Sequence, residues 1–294
     1  MIRSLLFLLL LCLPAEAQAG LERHTLRSGG VTRHYLLYVP DMPARFSGPR
    51  PLVLVLHGGG GTDRGTIRAT KGRFDQLAEA EGFLVLYPQA VGRMWDTGEG
   101  DVSAGLSPHR DDLAFLKAAI AATGARHAVD PHRIFATGIS RGGHASYMLG
   151  CEAPGLIRAI APVEMPLPEG LRATCRRGPP LPILLIQGTA DPIAPYGGGR
   201  VHLGKRQRDR VMSAPATMAL FAARNHCGGT APATRTGAVD RLSWQGCAAP
   251  TRLDRVEGGG HNWPGGVPRL PRILGPTNTD ISAPYEIWAF FRQF

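Results

Sequence analysis

The chain has 294 residues, 44% of them hydrophobic, with 33 Lys and Arg against 23 Asp and Glu, a net charge of +10. That length suits one large domain or two small ones. The basic excess does not point to nucleic acid, because the arginines are scattered and the densest run, 200–210, holds no aromatic residue to stack on a base.

Residues 1–19 read as a cleaved signal peptide. Arg3 is the positive start, 5–13 the apolar stretch, and Ala15-Glu16-Ala17 or Ala17-Gln18-Ala19 the small-x-small cleavage site. The apolar stretch is shorter than the about 20 residues a membrane span needs, and no longer one follows. The expected mature protein is therefore residues 20–294, secreted or periplasmic, without a membrane span. Cleavage removes Cys12 and leaves Cys151, Cys175, Cys227 and Cys247. In an oxidising compartment four cysteines suggest two disulfides with three possible connectivities. The local pairs Cys151–Cys175 and Cys227–Cys247 are the expectation, with free thiols as the alternative.

Strand-like apolar runs follow at 35–39, 52–56, 83–87, 133–136, 159–163, 183–187 and 253–257. Those at 52–56 and 183–186 are apolar without alternation, the pattern of strands covered on both faces of a parallel sheet. Helical spacing falls between them. It appears at Phe74, Leu77 and Ala78, at Leu113, Leu116 and Ile120 with Asp111 and Asp112 as capping candidates, at 145–149, at 216–223 and at 285–291. Alternating strands and helices predict an α/β fold: a mostly parallel, doubly wound sheet in a single domain. The polar, Gly-rich stretch 196–212 is the least structured and reads as an excursion over a site.

Within this pattern 133–143 carries the chemistry. After the run Ile134-Phe135-Ala136 the chain breaks into Gly138-Ile139-Ser140-Arg141-Gly142 and then enters a helix. This is a G-x-S-x-G nucleophile elbow, in which a turn too tight for side chains lifts the serine hydroxyl above the sheet edge. Such a serine needs a base and an acid, which follow it in that fold in the order Ser, acid, His. Asp191 stands on the turn after the strand 183–187 and is the chosen acid over Asp209, Asp240, Asp254 and Glu257. His261 follows the last strand behind Gly258-Gly259-Gly260 and is the chosen base. His144 is close to the serine but on the helix behind it, where its ring cannot serve.

Stabilising an oxyanion needs backbone donors. One is the N–H of Arg141; the other comes from the loop Leu56-His57-Gly58-Gly59-Gly60-Gly61, with Gly59 as the expected donor and His57 as a residue that orders the loop. That glycine run lacks the Gly-Lys-Ser/Thr ending of a phosphate cradle. Trp95 and Trp263 are placed at the mouth as substrate-binding aromatics. No histidine pair has metal-ligand spacing, so no metal and no cofactor are expected.

The segments 52–61, 111–115, 130–143, 187–199 and 258–265 resemble the secreted poly(3-hydroxybutyrate) depolymerase and feruloyl esterase group of α/β-hydrolases, akin to carbohydrate esterase family 1. The most specific are Gly188-Thr189-Ala190-Asp191-Pro192 with Pro195-Tyr196, and Gly258-Gly259-Gly260-His261-Asn262-Trp263-Pro264-Gly265. The resemblance implies an α/β-hydrolase fold and metal-free hydrolysis of small or polymeric esters, with Ser140, Asp191 and His261 as the triad. The chain departs from that group in having only glycines in the oxyanion loop, Arg141 after the serine and Gln187 where histidine is frequent. Two alternatives stay open at this point: acyl transfer by the same triad, and a catalytically silent binding protein on the same fold.

Overall fold

The structure, a computed structural model, describes residues 20–41, 48–97, 110–202 and 210–294. The expected signal peptide, His109, Lys205, Arg206, Arg208 and Asp209 lie outside the described residues. In chain order the elements are β1 (Gly20–Ser28), β2 (Val31–Val39), β3 (Arg50–Leu56), α1 (Asp63–Ala69), α2 (Arg73–Glu81), β4 (Leu84–Pro88), α3 (Asp112–Gly124), β5 (Val129–Ile139) and α4 (Arg141–Glu152). Then come β6 (Ala159–Val163), α5 (Arg172–Arg177), β7 (Ile183–Gly188), β8 (Gly199–Arg200), β9 (Arg210–Val211) and α6 (Ala214–Arg224). The chain closes with β10 (Gly229–Thr230), β11 (Thr234–Thr236), β12 (Val239–Gln245), β13 (Thr251–Val256), α7 (Pro271–Leu274) and α8 (Ala283–Phe291).

One sheet dominates, in the order β1-β2-β4-β3-β5-β6-β7-β13-β12-β10, with β11 also on β12. From β4 through β13 its strands run parallel. β1 and β2 add on antiparallel at one edge, and β12 with its neighbours at the other. Each expected strand run is a strand of this sheet. β1 and β12 carry little apolar signal because they lie towards the edges; β1 alternates between half-buried and exposed residues along its length.

Packing explains why the central strands read as unbroken apolar runs. In β3, Leu52, Leu54 and Leu56 enter one core cluster, while Val53 and Val55 enter the other on the opposite face. β7 divides in the same way, with Ile183 and Leu185 on one face and Leu184 and Ile186 on the other. Period-2 alternation still decides which face a side chain takes, but both faces are apolar, so every position must be. Phe115 of α3, Tyr147 of α4 and Phe221 of α6 cover the first face; Phe74 of α2 and Ile287 and Phe291 of α8 cover the second. Each such side chain contributes about 1.5–3 kcal/mol on burial.

Of the two capping candidates on α3, Asp111 caps, its carboxylate accepting the Ala114 N–H at 2.8 Å. Asp112 instead turns inward to pair with buried Arg33, whose guanidinium lies 3.9 Å from the centre of the Phe115 ring. Both local disulfides are formed. Cys151 at the end of α4 joins Cys175 in α5, and Cys227 just past α6 joins Cys247 between β12 and β13. No described helix is long and apolar enough to cross a membrane.

Candidate active site

The C-terminal ends of the parallel strands bring the predicted residues together. Ser140 stands between β5 and α4 with φ 56° and ψ −121°, a left-handed φ that costs a non-glycine residue roughly 1–3 kcal/mol. Neighbouring backbone holds it there: its N–H donates to Val163 O of β6 at 2.9 Å, and its carbonyl accepts the His144 N–H at 3.0 Å. The flanking glycines serve close approach rather than unusual dihedrals. A methyl group on Gly142 would lie 2.2 Å from Leu56 O of β3, and one on Gly138 would lie 2.5 Å from the Gly142 carbonyl carbon. Neither can be replaced without opening the turn.

Asp191 lies on the turn after β7. Its Oδ1 accepts the N–H groups of Ile193 at 2.7 Å and Ala194 at 2.9 Å. Its Oδ2 lies 2.7 Å from His261 Nδ1 and 3.2 Å from Gln187 Nε2. A neutral imidazole that donates through Nδ1 carries its lone pair on the other ring nitrogen. The loop before His261 is clamped. The His261 N–H donates to Leu274 O at 2.6 Å, and the Gly260 N–H to Pro276 O at 2.8 Å. Of its three glycines only Gly258 has a positive φ. Methyl groups on Gly259 and Gly260 would meet Val256 Cγ1 at 2.6 Å and Leu274 O at 2.3 Å. Gly259 and Gly260 thus serve close packing, while Gly258, with open space around it, serves its positive φ.

The glycine loop after β3 faces the serine. A methyl on Gly58 would lie 3.5 Å from Ser140 Cβ, and one on Gly59 3.3 Å from Arg141 Cγ. Gly60 N–H donates to Arg93 O and Gly61 N–H to Gly58 O, so both are committed to holding the loop. His57 is buried beneath it. Its Nε2 accepts the Ala90 N–H at 3.1 Å, and its Nδ1 lies 2.8 Å from Gly58 O. Burial pushes the imidazole down to about 4, so it stays neutral near neutral pH.

Ser140, Arg141, His144, the glycines 58–61 and His261 line one cavity of ≈ 420 Å³. Its other walls are largely apolar and include Met165, Ile193, Val201, Val211, Trp263, Leu270 and Ile273. Val201 and Val211 both belong to the stretch 196–212 expected to pass over the site. His144 is also buried, its Nδ1 3.3 Å from Thr97 Oγ1 and 3.5 Å from Arg141 Nη1. Burial and the arginine charge hold it well below the ordinary histidine value.

The two tryptophans part company. Trp263 lines the cavity. Trp95 does not: it is fully buried, its Nε1 donates to His57 O at 2.8 Å, and its ring lies 4.8 Å from the His57 ring. The expectation of Trp95 at the mouth is corrected, because an indole N–H that finds a backbone carbonyl satisfies its only donor below the surface. One polar residue at the strand ends was not anticipated. Glu164, directly after β6, is buried with φ 47°, and its Oε2 accepts the Gly188 N–H at 2.8 Å. Its position one residue beyond a predicted strand, next to the serine's own strand, was the available signal. Among the described residues no group of three or more His, Cys, Asp or Glu is arranged to hold a metal.

No protein-family profile matches the chain. The chain is 32% identical over 275 residues to NocK of Nocardia uniformis subsp. tsuyamanensis, an esterase by assignment, covering 86% of this chain and 77% of that protein. It is 28% identical over 269 residues to feruloyl esterase C of Emericella nidulans, covering 88% and 83% respectively. Among solved structures, an acetyl xylan esterase from Aspergillus awamori superposes with a TM-score of 0.58 at 15% identity, over 86% of this chain and 97% of that one. At that identity the likeness concerns the fold alone.

Proposed function

Because the chain belongs to the feruloyl esterase-like family of α/β-hydrolases and is an ester hydrolase, we propose that it works through Ser140, His261 and Asp191 by way of an acyl-enzyme. The supporting observation is geometric: His261 Nδ1 is engaged by Asp191 Oδ2 at 2.7 Å while the same ring lines the cavity that holds the strained Ser140. In this reading His261 Nε2 takes the Ser140 proton as the hydroxyl attacks the ester carbonyl. The N–H groups of Arg141 and Gly59 receive the developing oxyanion, and His261 returns the proton to the departing alcohol. Water then attacks the acyl-enzyme with His261 again as base. Asp191 keeps the Nδ1–H tautomer and stabilises the imidazolium.

The cavity size falls within the range of small-molecule sites, and its apolar walls with the Trp263 ring suit an aryl or short acyl group. The proposed substrates are therefore feruloyl- or acetyl-type esters, with polyhydroxyalkanoate chains as the polymeric counterpart. Export through removal of residues 1–19 belongs to the same proposal, and two disulfides fit an oxidising compartment.

A fluorophosphonate probe and a panel of methyl ferulate, aryl acetates of rising acyl length and an amorphous polyhydroxybutyrate film test this reading. Wild type should label and turn over the soluble esters, and Ser140→Ala should do neither. Asp191→Asn should lower kcat on the order of 10⁴-fold, as in the triad whose aspartate holds the tautomer. Labelling of Ser140→Ala would move the nucleophile elsewhere, and a loss below about tenfold in Asp191→Asn would point to another acid.

A further inference from the structure

β6 and β7 are neighbours in the sheet, and each ends in a buried carboxyl group that faces the other: Glu164 after Val163, and Asp191 on the turn after Gly188. Four donors converge on Asp191: the N–H groups of Ile193 and Ala194, Gln187 Nε2 and His261 Nδ1. Glu164 receives one, the Gly188 N–H on Oε2, and its Oε1 is buried without a hydrogen-bond partner. Two ionised carboxylates cannot face each other away from water, so one of the pair must hold a proton. The donor count places that proton on Glu164, and burial with the facing Asp191 charge holds its carboxyl well above the usual carboxylate range. An unpartnered buried oxygen that carries a proton is a donor, and the acceptor it faces is Asp191.

We propose that Glu164 is a positioning residue for ester hydrolysis: anchored by the Gly188 N–H, its protonated carboxyl group donates a hydrogen bond to Asp191 and so fixes the carboxylate that orients His261. The backbone is built around this contact. Glu164 is held at a left-handed φ of 47°, a cost a glutamate bears only where its surroundings impose it. A methyl on Gly188 would lie 2.3 Å from Gly259 O and 3.2 Å from Glu164 Oε2, so glycine there lets the glutamate and the loop leading to His261 close on the same strand end. The proposal rests on the Ser140–His261–Asp191 reading above.

Glu164→Gln and Glu164→Leu separate a donor from a mere space-filler. The glutamine amide can donate N–H to Asp191 and accept the Gly188 N–H, so E164Q should keep kcat within about threefold of wild type. E164L removes the donor and should lower kcat about 10- to 100-fold, the rate equivalent of one hydrogen bond to a charged group, with KM changed by less than threefold. E164L at wild-type kcat, or E164Q as impaired as E164L, overturns the proposal. A proton NMR readout stands independently of whether E164L folds. The His261 Nδ1–H bonded to Asp191 should resonate far downfield, and E164Q should shift it because the Glu164 donor to that carboxylate changes from O–H to N–H. An unmoved resonance overturns the proposal. Ser140→Ala, measured alongside, keeps the two readings apart: an active S140A fells the triad and the proposal with it, whereas an inactive S140A with a fully active E164L fells the Glu164 proposal alone.

Discussion

His57 and His261 make an instructive pair. Each adjoins a glycine run at the C-terminal end of a parallel strand, His57 after β3 and His261 after β13, and each lines the same cavity. Their ring nitrogens differ in where they are spent. Both nitrogens of His57 face its own neighbourhood, Nε2 accepting from Ala90 N and Nδ1 lying against Gly58 O. His261 commits Nδ1 to a carboxylate, and the proposed mechanism leaves its other nitrogen for chemistry. The same side chain beside the same kind of loop is thus a strut in one place and a candidate base in the other. The difference lies in the partner of the second nitrogen, not in the motif.

The sharpest way to break this comparison is to remove each ring in turn. His261→Ala should lower kcat on the order of 10⁶-fold, the scale on which serine hydrolases lose activity without their base. His57→Gln keeps an acceptor for the Ala90 N–H and should cost at most the about 10²-fold expected from misplacing one oxyanion donor. Steady-state kinetics on one soluble ester decides the matter, and equal losses in the two variants would erase the distinction.

A smaller effect appears in stability against pH. The unfolded His57 takes up a proton near 6.5 and the folded one near 4. Between those values the unfolded state binds more protons, so stability is complete above 6.5 and declines as the pH falls to 4. The two and a half units correspond to about 3 kcal/mol. Buried His144 is displaced in the same direction, so the informative quantity is the difference between wild type and His57→Gln. Denaturant melts at pH 7 and pH 4.5 should show the variant losing less on acidification. Equal losses would show that His57 is not the group being titrated.

The two disulfides extend the contrast away from the histidines. Cys151–Cys175 ties the end of the serine's helix to α5, just before the strand that leads to Asp191; Cys227–Cys247 staples a peripheral loop ahead of β13. Replacing either pair by serine should cost about 3 kcal/mol of stability, the chain-entropy value for loops of this length. Only loss of the first should also reduce kcat in protein that remains folded. Thermal melts with parallel activity assays test this, and an undiminished kcat without Cys151–Cys175 would separate that bond from the site.

The sequence alone settled what depends on neighbours along the chain. Unbroken apolar runs at 52–56 and 183–186 carry the pattern of strands buried on both faces, and the local cysteine pairs were the expected choice among three connectivities, the one the structure forms. The order of elbow, aspartate turn and glycine-led histidine is also written in local signals, so the strand ends that carry the proposed triad could be read in advance. What it could not supply depends on neighbours across the sheet. Glu164 meets Asp191 only because β6 and β7 lie side by side. Trp95 sinks beneath the His57 loop because a carbonyl waits there, while Trp263 reaches the cavity. Gly259 and Gly260 before His261 act as contact surfaces, since what a missing Cβ permits depends on which atoms of the packed chain pass within 3 Å of it. Periodicity and turn chemistry are properties of a segment; burial and hydrogen-bond satisfaction belong to the packed whole.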